Sequence, residues 1–116
     1  MSIARIDPGQ HYAAAVVHGG LVYLSGHVAH DADAGVREQT AEILASIDRH
    51  LAEAGTDKSR LLSVQVFLDD IGHFDEMNAA WDAWVDRSNL PARATVEAKL
   101  ASHVYKVEIA AIAALP

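Results

Sequence analysis

Leu90-Pro91-Ala92-Arg93-Ala94-Thr95-Val96-Glu97-Ala98-Lys99-Leu100 is the run on which the fold turns. With a period of two, Ala94, Val96, Ala98 and Leu100 fall on one side of a strand, and Arg93, Thr95, Glu97 and Lys99 on the other. Pro91 has no amide proton, so it suits the first residues of a strand or an edge. A guanidinium fixed at a strand start grips a small carboxylate well, because its planar fork matches two oxygens at once. The plainer reading is a surface arginine paired with a nearby acid, as for most strand arginines.

Upstream of this strand, Phe74, Met77, Trp81 and Val85 recur at helical spacing, with Trp84 beside them. They predict a helix over Ile71 to Arg87, with Asp69 or Asp70 as its cap and Ser88 to Pro91 as the following loop. The two tryptophans read as packing residues. Asn78 falls on the same apolar stripe. Leu61 to Leu68 alternates as a strand, and Thr40, Ile43, Leu44, Ile47 and Leu51 form the stripe of an earlier helix that Gly55 is placed to end. Ile3 to Ile6 starts a short strand. Ala14 to His18 and Leu21 to Ser25 form a hairpin through Gly19-Gly20, and His27 to Gly35 is a polar loop. Beyond Leu100, a turn near Ala101 to His103 leads into a last strand, Val104 to Ala113. The order β-β-β-α-β-α-β-β implies a two-layer α+β domain, a mixed sheet with two helices on one face, in one domain over residues 1–116.

At 116 residues the chain can build one core yet profit from a partner. Its hydrophobic content of 51% argues against disorder. No apolar run approaches the roughly 18 to 20 residues that cross a bilayer, and Met1 to Asp7 lacks the apolar core of a signal peptide. With no cysteine there is neither a disulfide frame nor thiolate chemistry. These features point to a cytoplasmic protein without membrane partners. The formal charge is −7, and the nine Lys and Arg residues are scattered with no two adjacent, so no nucleic-acid partner is expected.

Glu108, in Val107-Glu108-Ile109-Ala110-Ala111-Ile112, is a lone carboxylate in an apolar strand. Such a group is a candidate for handling protons. The alternatives are a solvent-facing side chain or an ion pair with Lys106 or Arg93. His27 and His30 stand near Asp31 and Asp33, but a loop without HExxH or cysteine partners is not expected to hold a metal. His18 and His50 read as surface or turn residues. No phosphate-cradling glycine loop is present, and Ser25 lacks the glycine spacing of a nucleophile elbow.

Several segments in order resemble the Rid family, also called the YjgF family: Leu21-Val22-Tyr23-Leu24-Ser25-Gly26, Gln39-Thr40 with Leu51-Ala52-Glu53-Ala54-Gly55, Val66-Phe67-Leu68-Asp69-Asp70, Phe74 to Asn78, Pro91-Ala92-Arg93 and Val107-Glu108-Ile109. Ala80-Trp81-Asp82-Ala83-Trp84-Val85 and Tyr105 to Ile109 look closest to its YoaB-like branch. The resemblance implies a chorismate-mutase-like fold assembled as a homotrimer, with clefts between subunits. It implies hydrolysis of reactive enamines and imines of the 2-aminoacrylate type, small 2-imino acids, to 2-oxo acids and ammonia without a cofactor. The alternative is a non-catalytic module that binds a small carboxylate or a protein. In this family pattern Arg93 matches the carboxylate-binding arginine, Glu108 the acid that places water and moves the proton, and Tyr12 the cleft tyrosine. Ser25, Gly26, Asn78 and Thr95 match positions lining the substrate pocket. The chain departs from the pattern at Pro8-Gly9-Gln10-His11, at His27 where glutamine is common, at Thr95 where cysteine is frequent and at Ala110 where a second glutamate often stands. These positions surround the expected pocket and bear on the choice of substrate.

Overall fold

The computed structural model describes residues 2–116; Met1 lies outside them. The chain runs β1 (Ala4–Pro8), β2 (Ala13–His18), β3 (Leu21–Val28), α1 (Val36–Ala54), β4 (Leu61–Leu68), α2 (Phe74–Trp84), β5 (Ala92–Glu97) and β6 (Val107–Ala114), with short 3-10 turns at Lys58–Arg60 and Ile71–His73. This is the expected element order. The six strands form one sheet in the order β1-β2-β3-β6-β4-β5. Only β4 and β5 pair in parallel, joined by the α2 crossover, so the sheet is mixed.

Both helices bury their stripes on one sheet face. Ile43, Leu44, Ile47 and Leu51 of α1 and Met77 and Trp81 of α2 pack with Val22, Leu24, Val64, Val66, Leu68, Val107, Ile109 and Ala111. Gly55 ends α1 at φ 89°, where its amide donates to Ala52 and that of Thr56 to Leu51. A β-carbon would be strained in that conformation, so glycine closes the helix.

Several boundaries differ from the sequence reading: β5 ends at Glu97 rather than Leu100, and the last strand begins at Val107 rather than Val104. The second helix does not run from Ile71 to Arg87. Asp70 accepts a hydrogen bond from the Gly72 amide at 2.8 Å and caps a 3-10 turn, after which the α-helix spans only Phe74–Trp84. At the other end the Asp86 carboxylate takes the Ser88 amide and the Asn89 side chain, each at 3.0 Å, and diverts the backbone into a turn. His27 and Val28 belong to β3, opposite Ile109 and Glu108, rather than to a loop.

The turn after β5 does not join neighbouring strands either. Residues 98–106 carry the chain over the end of β4, tied by Ala98 N–H to Leu68 and Asp69 N–H to Lys106, and β6 enters between β3 and β4. The apolar β6 takes a central place, with both its edges paired and Val107, Ile109, Ala111 and Ala113 buried under the helices, while β5, preceded by Pro91, lies at the edge.

The sheet's second face lacks a cover. Tyr23 and Val96 are exposed there, beside Ala94, Ala110 and the half-buried Ile112.

Candidate functional site

Arg93 stands opposite Val64 at the start of β5, and Thr95 opposite Val66. Val64 and Val66 are buried under the helices, so this side of β5 faces α2. Phe74, Asn78 and Trp81 occupy successive turns of α2 and meet the arginine. Its guanidinium carbon lies 5.1 Å from the Trp81 ring centre and 5.7 Å from that of Phe74. One terminal nitrogen donates to Asn78 Oδ1 at 2.8 Å. The cation is therefore neither a free surface charge nor an ion-paired one: two aromatic faces and an amide hold it in one place. Thr95 Oγ1 is buried nearby without a hydrogen-bond partner.

A second group forms around β3 and β6. Their pairing is irregular between Leu24 and His27, which leaves Ser25 and Gly26 in a bulge. The Ser25 hydroxyl donates to the Ala13 carbonyl at 2.6 Å, which spends its proton and leaves the oxygen free to accept. Glu108 lies against Gly26. A β-carbon on Gly26 would stand 2.9 Å from the Glu108 carboxyl carbon and closer still to one oxygen, so glycine is needed for the carboxylate to sit there. Tyr12, Ser25, Gly26, Val28, Tyr105 and Glu108 line a cleft of about 430 Å³. Tyr12 is 68% exposed, with its ring at the rim. Glu108 forms no ion pair among the described residues; Lys106 instead donates to the carbonyls of Ala32 and Ala34.

The seven residues singled out from the sequence thus divide into two half-sites. Arg93 and Thr95 face the helices, where Asn78 of α2 meets the arginine. Glu108 alternates with the buried Val107 and Ile109 and so looks from the opposite sheet face, with Tyr12, Ser25 and Gly26 around it. Within one protomer Arg93 and Glu108 do not share a cleft. Sequence reasoning also missed two parts. Trp81 and Phe74 read as core residues yet form the shelf under the guanidinium, and Tyr105 lines the glutamate cleft. A stripe at helical spacing looks the same whether its outer edge meets carbon or a cation.

The loop histidines do not gather as a ligand set. Among the described residues the grouping that does is Asp7, His50 and Glu53. His50 lies on α1 rather than in a turn, its ring 4.9 Å from that of His27. Burial, then the neighbouring His50, lowers the pKa of His27, and its Nε2 is buried without a partner. Among the described residues no helix is long and apolar enough to cross a membrane.

Comparison with known proteins shows the family of the chain. The family model described as endoribonuclease L-PSP matches residues 2–115. The RutC family protein YoaB of Escherichia coli K12 is 44% identical over 115 residues, 99% of this chain and 100% of that protein. A RutC family protein of Haemophilus ducreyi is 41% identical over 113 residues, 97% of each. The crystal structure of a YjgF family member from Neisseria meningitidis superposes with a TM-score of 0.97 at 44% identity, covering 100% of this chain and 97% of that one. A domain matched along nearly its whole length in sequence, and in the course of its sheet and both helices, belongs to the endoribonuclease L-PSP family, whose members also carry the names YjgF and RutC.

Proposed function

We propose that this protein hydrolyses small 2-imino acids and their enamine tautomers to 2-oxo acids and ammonia, in a cleft built between copies of the chain. The observation that carries this reading is the pinned Arg93 on one sheet face and the Glu108 cleft on the other. Neither half suffices. A homotrimer that packs the bare sheet faces together brings the arginine of one copy to the glutamate of the next.

In that cleft Arg93 binds the substrate carboxylate and fixes its orientation. Ser25 Oγ, its own proton committed to Ala13, accepts from the substrate N–H. Glu108 takes a proton from water as the water oxygen bonds to C2 of the protonated imine. Glu108 returns that proton to nitrogen, and as the C–N bond breaks and ammonia leaves, the hydroxyl on C2 gives its proton to Glu108 and becomes the carbonyl of the 2-oxo acid. Tyr12 covers the cleft and offers a hydroxyl to the same transfer. Positioning supplies most of the gain, because the reacting groups are held rather than collected from solution. The expected setting is the cytosol, where pyridoxal-phosphate dehydratases release such intermediates. The ribonuclease activity named for the family model fits this chain poorly: at −7, with scattered basic residues, it repels phosphates.

The test generates 2-aminoacrylate with a dehydratase and follows pyruvate release. Acceleration by the pure protein, lost in Arg93→Ala, supports the reading. Binding of 2-oxobutyrate with no acceleration leaves the non-catalytic carboxylate-binding module in its place.

A further inference from the structure

We propose that Asp7, His50 and Glu53 form a binding site for a divalent transition-metal ion of the zinc class, tying β1 to α1 in a cavity that adjoins the Glu108 cleft across Ser25 and Gly26. His50 and Glu53 are three residues apart and so adjacent on the surface of α1. Asp7 comes from the end of β1. One ligand atom from each lies within 4.8 Å of the others. An ion with bonds of about 2.0–2.2 Å separates its ligand atoms by roughly 3.3–3.6 Å, a spacing that small rotations of the two exposed carboxylates reach.

The hydrogen-bond geometry of His50 carries the argument. Its Nδ1 lies 2.8 Å from the Ser46 carbonyl oxygen. A carbonyl can only accept, so Nδ1 holds the proton. In the neutral ring Nε2 is then a lone pair, and it faces Asp7 Oδ2 at 3.2 Å. Two acceptors at that distance need a cation between or upon them: a second proton on the ring, or a metal. An imidazole whose outer N–H is held by a backbone carbonyl while the other nitrogen meets carboxylates has the arrangement of a metal ligand with its orienting partner. The His50 side chain is 12% exposed and fixed by packing, whereas Asp7, at 62%, leaves room for water to complete the coordination. Asp7 also adopts φ 48°, uncommon outside glycine, just before Pro8. The His27 ring, 4.9 Å from that of His50, walls the site. One imidazole with two carboxylates suits zinc, cobalt or manganese rather than calcium.

The chelator-treated full chain is titrated with Zn²⁺ by calorimetry and with Co²⁺ by visible absorption. One equivalent per chain, absence of binding in His50→Ala and weakening of about tenfold or more in Glu53→Gln are expected. Glu53 is exposed, so that variant reads the site even where His50→Ala fails to fold. His103→Ala, in a distant loop, should bind as the native chain does. Lack of saturable binding below about 100 μM, or binding indifferent to Glu53→Gln, would overturn the site and leave an imidazolium–carboxylate pair there. These titrations do not depend on deaminase turnover, so either idea can fail alone.

Discussion

Asn78 accepts a hydrogen bond from Arg93 at 2.8 Å, from one turn of α2 to the first turn-in of β5. This bond ties the crossover helix to the edge strand it leads into. It also assigns Asn78 a task that differs from touching substrate: its amide oxygen holds the guanidinium against Trp81 and leaves the other N–H groups for a ligand.

Asn78→Ala should therefore act through the arginine. A hydrogen bond to a charged group contributes about 1.5–3 kcal/mol, so KM for a 2-imino acid should rise roughly tenfold to a hundredfold while kcat changes less. Arg93→Lys should be as damaging as Asn78→Ala or worse, because an ammonium cannot keep both the amide and a two-oxygen grip. Steady-state kinetics on both variants decide this; an unchanged KM in Asn78→Ala would remove the positioning role.

Glu108→Gln should lower kcat by about 10²–10⁴-fold with 2-oxobutyrate binding retained, since an amide keeps the shape but cannot take a proton. Calorimetric binding beside turnover separates the two effects.

Gly26→Ala sets a methyl group against the Glu108 carboxylate. Gly26 is not among the positive-φ glycines, so the backbone itself tolerates alanine. Turnover should fall by at least about tenfold while the melting temperature shifts by only a few degrees. A large loss of stability with normal kinetics in the surviving fraction would contradict the assignment.

Mixing Arg93→Ala with Glu108→Gln subunits should restore activity to preparations that are each inactive alone. Random assortment in a ring repairs about one cleft in four. No recovery after co-refolding would mean that the two half-sites do not meet across copies.

His27 gives the stability a pH signature. Burial first, then His50 and Arg49, lower its pKa in the fold, against a hydrogen bond with the Ala14 backbone. The unfolded chain then binds more protons just below the ordinary value of about 6.5, so stability falls as pH drops through that point and levels off below the lowered folded value. Urea unfolding from pH 8 to 5, with chelator present, should show a shallower slope in His27→Gln than in the native chain.

Periodicity, capping residues and Gly55 were enough to read the element order, the buried stripes of both helices and the bounds of β4 from the sequence, because each depends on contacts a few residues apart. Glu108 stood out as a lone charge in an apolar strand, and Arg93 by its place at a strand start just after Pro91. Which face each occupies was not legible. A period-two pattern separates two sides of a strand without naming the side that meets the helices, and β5 turned Arg93 and Thr95, not Val96, toward α2. The insertion of β6 between β3 and β4, the bulge that lays Gly26 on Glu108, and the meeting of Asp7 with His50 across 43 positions are long-range pairings. They are set by how the sheet closes on its core, a property of the whole packed chain that no short window of sequence contains.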